Sequence, residues 1–518
     1  MTNRKLKKIL KKNAIDPPRE KQTAPANVKV GISRRSLIRA VQVAACLLLV
    51  CAMGIGYVAM VRMVGPQGDP NDTTPAAPGF QPTDSLDVVG TDPYTPDDTT
   101  YQAVEKQETF DGKQLYVVEP FRSGASGDWF EFSSPDLDSA DVVDRINLNR
   151  LMLTEHALDC NIVQASMGST EQYLSWVKTS ALTGYNAAIV TGGIDLIGPL
   201  ARHGQLENLK SPEAAAYLDF SAPYWPESMA EELSINGKLY FASGKISINT
   251  MAAVNCVFAD PDINSKLGIN IYNIVNEGKW TYDEMYALAA GGGSLDGLAL
   301  FEDGLMSLAT SAGVHIADNT MVAHPSLTDG TALNLVNQLA GLRKSGKLNQ
   351  TTRASSEHID ELFVVDSIVG IISMGEGTRL LLPMPAVEEG ASYRCAAGSG
   401  TVYYTVIKGS DTALASAVMA NLAHYPHEKH QSEMFGSTMQ TYMDVLGNRY
   451  PINYESRQNL EIAVDNKAFT LDIFMDAGAT KNLLKNAVNS SHEEDRKTLL
   501  SMPILNSTVM SQLVSMDR

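Results

Sequence analysis

Short apolar runs alternate with amphipathic stretches along the chain after residue 110. Residues 114–120, 161–166 and 187–193 have the length and apolar character of buried strands. Between them, residues 140–158 and 170–184 place apolar side chains at helical spacing, and the second stretch ends on a glycine, as helices often do. This βαβαβ order predicts a parallel sheet covered by helices.

A second set of alternating elements follows. Residues 255–260 open it as a strand, residues 280–289 and 332–346 have helical patterns, and residues 368–375 are predicted to form a buried strand. A further β segment and a helix follow Pro385. The chain beyond residue 110 is about 400 residues long, which exceeds a single core, so we expect two lobes between which the chain crosses more than once.

The loops that follow the first strands are the first candidates for a ligand site. Ligands of open α/β sheets bind beyond the carboxyl ends of the strands, where loops of neighbouring strands converge. These loops are residues 121–132, 167–169 and 192–195. The first contains SGASGDWFEF, a Gly/Ser context typical of an open surface.

A tight turn is predicted between the two sets of elements, in ELSINGKLYFASGKISIN at residues 232–249. A type I′ turn needs positive φ at both central residues, and Asn236-Gly237 meets this requirement at little steric cost. We therefore expect a β-hairpin here.

The N-terminal part differs in kind from the rest. Residues 1–39 hold 12 Lys and Arg and two acids, so the remainder carries 29 basic and 57 acidic residues. The run AVQVAACLLLVCAMGIGYVAM at residues 40–60 would rise roughly 32 Å as a helix, enough to cross a bilayer. We predict a basic cytoplasmic tail (1–39), a transmembrane helix (40–62), a Pro/Thr/Asp-rich disordered stalk (63–108) and an extracellular domain (109–518).

Two other interpretations of the apolar run remain open. A cleaved signal peptide usually has a shorter apolar core, and no small-residue cleavage site follows this one. Val43-Ala44-Ala45-Cys46 resembles a lipoprotein motif, but most of the apolar residues come after that cysteine. We therefore favour a single-pass anchor in the cell membrane with the N-terminus in the cytoplasm.

The acidic balance of the large domain excludes nucleic acid and anionic lipid as its partners. Its cysteines are Cys160, Cys256 and Cys395, an odd and sparse set that favours buried free thiols over a disulfide framework. No metal site and no cofactor site is predicted. Residues 260–268 begin like a calcium loop, yet Ser265 occupies the position that requires glycine. No motif for a catalytic nucleophile is present, so we expect no enzyme.

The sequence resembles the family 1 extracellular solute-binding proteins, the receptors of carbohydrate importers of the ABC type. The resemblance rests on VTGGIDLIGPLARHGQLENL, PYWPESMAEELSINGKLYFASGKISI and NEGKWTYDEMYALA, which come in the order found in that family. As a whole, it runs from about residue 115 to residue 425. It implies an α/β, two-lobed periplasmic-binding-protein-like fold of type II, whose lobes close on a ligand about a hinge. Residues 243–249 would form part of the hinge and of the cleft wall.

The resemblance also implies a function and a division into lobes. Lobe 1 would comprise residues 109–245 and 384–430, and lobe 2 residues 246–383 and 431–518. The protein would capture a sugar or oligosaccharide and deliver it to ABC-type permease subunits. The alternative is a ligand-sensing or cell-surface interaction ectodomain without a transport role.

Aromatic and polar side chains near the predicted strand ends are the candidate ligand contacts. Sugar sites stack aromatic rings on the sugar and bind its hydroxyls with a few polar groups. The candidates are Trp129, Phe130, Asp195, Trp225, Asn249, Glu376 and Arg379.

Several of these candidates have a structural alternative. Asp195 is suited to cap a helix, Trp225 to pack against the segment between the lobes, and Asn249 to form a hinge hydrogen bond. Glu376 and Arg379 are predicted to follow a strand of the second lobe at the position matching Asp195, and they could form an ordinary ion pair. A fourth tryptophan, Trp280, is expected to be structural, with Thr281 capping the helix behind it.

Overall fold

The computed structural model describes residues 109–120, 131–132, 142–167, 169–183, 187–291, 296–301, 303–315, 327, 329–352, 359–373, 379–424, 442–446 and 453–501. The predicted tail, membrane helix and stalk lie outside these residues. Within them, no helix is long and apolar enough to cross a membrane.

Strands and helices alternate through the described residues. The strands are β1 (Lys113–Glu119), β2 (Cys160–Ser166), β3 (Ala187–Gly192), β4 (Asn255–Ala259), β5 (Leu298–Leu300), β6 (Leu348–Gln350), β7 (Phe363–Ser367), β8 (Leu380–Leu382), β9 (Cys395–Ala396), β10 (Tyr403–Val406) and β11 (Lys467–Ala468). The helices are α1 (Val142–Leu158), α2 (Thr170–Thr183), α3 (Ile194–Arg202), α4 (Met229–Glu232), α5 (Ile248–Ala252), α6 (Ile263–Leu267), α7 (Ile271–Asn276), α8 (Tyr282–Ala289), α9 (Gly304–Ser311), α10 (Thr331–Lys344), α11 (Ile368–Ser373), α12 (Thr412–His424), α13 (Tyr454–Asp465), α14 (Asp472–Asn489) and α15 (Glu493–Leu500).

The strands form two larger sheets that share the arrangement of four strands, and the second sheet has a fifth strand at its edge. Sheet 1 runs β2-β1-β3-β10, and sheet 2 runs β6-β5-β7-β4-β8. In each, three parallel strands are followed by one antiparallel strand, β10 in sheet 1 and β4 in sheet 2. The predicted parallel βαβαβ unit at the start of the domain is confirmed.

The chain crosses between the sheets to supply those antiparallel strands. Strand β4 of sheet 2 follows the elements of sheet 1, and β10 of sheet 1 follows the strands of sheet 2. In each sheet, the antiparallel strand is therefore formed by a segment that comes directly from the other sheet. The buried apolar residues form two clusters, one around each sheet. This is the two-lobed arrangement that the sequence predicts, while the exact lobe boundaries stay a prediction.

The strand predicted at residues 368–375 is wrong where the structure describes it. Strand β7 ends at Ser367, and α11 begins at Ile368. The Ser367 hydroxyl accepts a hydrogen bond from the Gly370 amide at 3.1 Å, which satisfies a backbone donor at the start of the helix. A short, uniformly apolar run has no periodicity that separates strand from helix, and this explains the error.

The predicted turn at Asn236-Gly237 and the predicted cap of α8 are confirmed, whereas the predicted hairpin is limited to one bridge without flanking strands. Asn236 and Gly237 have φ of 49° and 77°, and Ile235 and Lys238 exchange both backbone hydrogen bonds around them. The Thr281 side chain caps α8 by accepting a hydrogen bond from the Glu284 amide.

Three segments pass between the sheets and form what we call the joint: residues 242–254, 395–404 and 466–470. The first two pair antiparallel at Ala242–Tyr404 and at Val254–Ala397. The second and third pair through the parallel strands β9 and β11. The joint is thus a small sheet-like structure of its own, in which many backbone polar groups pair with one another.

Buried side chains complete the hydrogen bonds of the joint. The Thr250 hydroxyl donates to the Val402 carbonyl and accepts from the Val402 amide, both at 3.0 Å. The Ser243 hydroxyl donates to the same Val402 carbonyl at 2.6 Å. The Lys467 ammonium donates to the Thr250 carbonyl, so all three segments meet at Thr250.

The joint should tolerate no side chain at Gly398. A Cβ there would lie 2.5 Å from the Ala253 carbonyl oxygen and 2.8 Å from Asn255 Nδ2. We predict that Gly398→Ala lowers the free energy of unfolding by about 1–3 kcal/mol, because one of the two segments must move. Gly341→Ala is the control: its Cβ meets nothing within 4 Å in helix α10, so it should stabilise slightly. Equal denaturant midpoints for both variants would contradict the close packing.

Lys467 should make the stability of the protein depend on pH. Burial lowers the pKa of this lysine to about 7, Lys245 acts in the same direction, and the thiols of Cys256 and Cys395 oppose the shift. Above pH 7 the unfolded chain therefore binds a proton that the folded chain lacks, and stability rises with pH.

We predict that the free energy of unfolding of Lys467→Met exceeds that of the native chain by the largest amount at pH 6. This difference should fall by about 2 kcal/mol between pH 7 and 9, because the native chain gains stability there. Urea unfolding across this range measures it. Lys178→Met, at an exposed position on α2, should show a constant difference. A constant difference for Lys467→Met as well would mean that the buried amine keeps its proton.

Candidate functional site

The carboxyl ends of the parallel strands in the two sheets approach each other at the joint. The Ser399 amide donates to Asp303 Oδ2 at 3.1 Å, and Asp303 follows the end of β5 in sheet 2. The Ser399 carbonyl lies 4.0 Å from the position of a Cβ on Gly193, which follows the end of β3 in sheet 1. We call the region bounded by residues 193–195, Asp303 and Ser399 the candidate cleft.

Asp195 lies in the candidate cleft and is exposed. Gly193, not Asp195, occupies the cap position of α3, so Asp195 lies in the first helical turn. One of its carboxylate oxygens would lie 2.6 Å from a Cβ on Gly193, so any other residue there would displace the carboxylate. Burial and then the charge of Asp195 raise the pKa of Tyr173, whose hydroxyl donates to the Thr191 carbonyl at 2.6 Å. Asp195 therefore lies close to the end of β3.

Glu131 is a buried carboxylate beside the ends of β1 and β3, and it receives hydrogen bonds from the joint. Its Oε1 accepts from the Ser247 hydroxyl at 2.9 Å and from the Asn249 amide group. Its Oε2 accepts from the Tyr404 hydroxyl at 2.5 Å, and burial together with this carboxylate raises the pKa of Tyr404. The Glu131 amide donates in turn to Glu119 Oε2 at 3.0 Å at the end of β1.

Arg150 supports the same cluster from helix α1. Its buried guanidinium donates to the carbonyls of Ile246 at 2.6 Å, Leu422 at 3.2 Å and Glu131 at 3.0 Å. It therefore connects the first segment of the joint, helix α12 and Glu131 of the predicted ligand loop. Sequence reasoning missed both Glu131 and Arg150, because a charged residue on an amphipathic or loop stretch carries no sign that it will be buried.

Glu232 and Arg394 form an ion pair that sequence reasoning also missed. The second carboxylate oxygen of Glu232 accepts from the Phe469 amide at 2.7 Å and from the Ser228 hydroxyl at 2.9 Å. Burial raises the pKa of Glu232, and Arg394 and the two hydrogen bonds oppose that shift. The pair ties helix α4 to the second and third segments of the joint.

Trp225 packs against the joint rather than facing solvent. Its indole is 3% exposed and lies 5.3 Å from the Phe220 ring and 5.8 Å from the Tyr224 ring, measured between centroids. A Cβ on Gly244 would lie 3.5 Å from the indole. These contacts match the structural alternative for Trp225. The Asn249 amide, engaged by Glu131, likewise makes the hinge hydrogen bond that was its alternative.

The predicted position of Arg379 beside the strand ends is wrong. Its guanidinium is buried and donates to the carbonyls of Glu361 at 3.0 Å and Ile359 at 2.7 Å, which precede β7. Arg379 itself precedes β8, so it lies where strands β7 and β8 begin, at the edge of sheet 2 opposite the carboxyl ends. The prediction fails because helix α11, and not a strand, follows β7. Strand β8 then begins at the edge where β7 begins, and Arg379 lies directly before it. Trp129, Phe130 and Glu376 lie outside the described residues.

Trp280 is structural, as predicted. Its ring is fully buried, its indole N–H donates to the Pro383 carbonyl at 2.9 Å, and it packs 5.4 Å from the Phe363 ring. No group of three or more potential metal ligands occurs among the residues that the structure describes.

Comparisons with known proteins establish the fold. No protein-family model matches the sequence, and no curated protein matches it. Among solved structures, the chain is similar to the cyclic alpha-maltosyl-1,6-maltose binding protein from Arthrobacter globiformis, with 12% identity over 77% of this chain and 100% of that one and a TM-score of 0.51. It also matches the sugar-binding protein MalE from Xanthomonas citri, with 11% identity over 78% of this chain and 98% of that one and a TM-score of 0.49. The first likeness and the paired sheets show a two-lobed periplasmic-binding-protein fold.

Glu131 should be essential to the stability of the joint. Glu131→Gln removes the negative charge and one acceptor oxygen while Ser247, Asn249 and Tyr404 keep their donors. We predict a loss of about 3 kcal/mol in the free energy of unfolding, since hydrogen bonds to a buried charge are lost. Glu213→Gln, at an exposed site, should change it by less than about 0.5 kcal/mol. Guanidinium titration of both variants tests this, and similar midpoints would show that the carboxylate contributes little.

Proposed function

We propose that this protein is a membrane-anchored extracellular solute-binding protein that captures a sugar or oligosaccharide between its lobes and delivers it to an ABC transporter. The observation that carries the proposal is the geometry of the candidate cleft. The carboxyl ends of two sheets that share the arrangement of four strands meet at Ser399, and a three-segment joint connects them. Two lobes connected in this way can close on a ligand by hinge motion.

The nature of the ligand is proposed from the candidate side chains and from the fold. Trp129 and Phe130 come directly before Glu131 in the sequence, and the Glu131 carboxylate is hydrogen-bonded to the joint. Aromatic rings can stack on a sugar, and the exposed Asp195 can accept hydrogen bonds from its hydroxyls. Glu376 remains a proposed contact of the second lobe.

Trp225 and Asn249 support the proposed site through contacts within the protein. The Trp225 ring packs against Phe220, and the Asn249 amide donates to Glu131, so we place direct contact on Trp129, Phe130 and Asp195. The similar protein from Arthrobacter globiformis binds a cyclic maltosyl-maltose, which supports an oligosaccharide. Binding without catalysis is part of the proposal.

Membrane attachment and transport rest on the sequence. The apolar run at residues 40–60 and the basic tail before it support a single-pass anchor with the domain outside the cell. Permease subunits are the proposed partners. A ligand-sensing ectodomain is the alternative, and permease genes beside this one would favour transport.

A thermal-shift screen of the purified full chain tests the proposal. The panel holds maltose-based linear and cyclic oligosaccharides, monosaccharides, amino acids and peptides. A ligand at about 100 times its Kd adds about 2.7 kcal/mol to the stability of the native state, which raises Tm by several °C. A shift with amino acids or peptides alone would overturn the sugar assignment.

Trp129 and Trp280 should separate binding from stability. We predict that Trp129→Ala abolishes the ligand-induced shift and leaves the Tm of the free protein nearly unchanged, because the Gly/Ser-rich sequence around it predicts no core for the indole to support. Trp280→Ala should lower the Tm of the free protein and keep the ligand shift, because its ring is fully buried. If Trp129→Ala melts early and still binds, the assignment of Trp129 to the site is wrong.

A further inference from the structure

The joint brings two of the described cysteines together. Val254 and Ala397 form an isolated antiparallel bridge, and continuing its register by two residues sets Cys256 opposite Cys395. Directly opposed residues of antiparallel strands have Cα atoms about 4.5–5.5 Å apart. A disulfide joins Cα atoms that are about 4.4–6.8 Å apart, so this register suits a cross-link.

The side chains of the pair meet as well. The Cys256 thiol is in hydrogen-bonding contact with Cys395, and both are fully buried. The Cys395 sulfur also accepts a hydrogen bond from the Met384 amide at 3.2 Å. Cys160 is different: it begins β2 and packs in the other apolar cluster, around sheet 1. All three are free thiols in this structure, as the sequence predicts.

We propose that Cys256 and Cys395 form a disulfide that fastens the first two segments of the joint to each other. Cys256 belongs to β4, which continues directly from the first segment, and Cys395 begins the second. The bond would close a loop over residues 256–395, which contains all strands of sheet 2 from Cys256 onward. It would join strand β4 of sheet 2 covalently to the second segment of the joint.

The cross-link forms by thiol–disulfide exchange with a low-molecular-weight disulfide. The thiolate of one cysteine attacks a sulfur of that disulfide, gives a mixed disulfide and releases one small thiolate. The thiolate of the other cysteine then attacks the protein sulfur of the mixed disulfide and releases the second small thiolate. Two protein thiols are oxidised, one external disulfide is reduced, and the two protons leave on the released thiols.

Burial determines when this exchange can happen. It raises the pKa of the Cys256 thiol well above its usual value, so the reactive thiolate is scarce once the joint has packed. The packed joint also keeps external reagents away from both sulfurs. The bond therefore forms while the chain folds, and the packed joint protects it from reduction afterwards.

Refolding in a redox buffer tests the proposal. The full chain, unfolded and reduced, is refolded in mixtures of reduced and oxidised glutathione, trapped with N-ethylmaleimide and digested with trypsin without reduction. We expect one linked species that joins the peptide of residues 246–266 to that of residues 395–408, with the peptide of residues 151–178, which holds Cys160, carrying N-ethylmaleimide. Free thiols at Cys256 and Cys395 in every mixture, or equal linkage to Cys160, would overturn the proposal.

Melting gives a second measurement. The oxidised chain should have a higher Tm than the reduced chain, because the closed loop restricts the unfolded state. Cys256→Ala and Cys395→Ala should each abolish this difference, and Cys160→Ala should keep it. A difference that persists in Cys256→Ala would show that another bond causes it. The peptide map of the native sequence decides the matter even where a variant fails to fold.

Discussion

The structure depends on one constraint. The segments that pass between the two lobes are buried, so their backbone N–H and C=O groups need hydrogen-bond partners within the protein. The joint meets it with short strand pairings and a few hydroxyls. Thr250 both donates to and accepts from Val402, and Lys467 reaches the Thr250 carbonyl. Such a joint leaves little free space, and Gly398 lies where the first two segments are closest. The close packing makes the joint a defined axis rather than a loose linker.

The candidate cleft and the joint are one structural unit. Glu131 ends the loop that carries the proposed aromatic contacts, and its carboxylate receives hydrogen bonds from Ser247, Asn249 and Tyr404. A change in the angle between the lobes would therefore act on the groups that hold Glu131. Arg150 and the Glu232–Arg394 pair attach neighbouring elements to the same place. In the proposed function, this arrangement would link ligand contact to hinge motion.

The fold is shared with sugar-binding proteins at very low sequence identity. Such divergence is understandable because the fold needs apolar strands, helical faces and a satisfied joint, and many sequences supply these. Ligand choice depends instead on a few side chains at the strand ends. The likeness therefore establishes the two-lobed architecture, and the proposed ligand rests on the side chains of the candidate cleft.

The sequence by itself determined the elements whose cause is local. Apolar periodicity gave the first βαβαβ unit, Asn236-Gly237 gave the type I′ turn, and Thr281 gave a helix cap, because each depends on neighbours within a few residues. Tertiary structure alone decided whether the apolar run after Ser367 is strand or helix, and with it the position of Arg379. It alone placed Glu131 and Arg150 in the interior and Cys256 opposite Cys395, because these partners are distant in sequence and meet only where the chain crosses between the sheets.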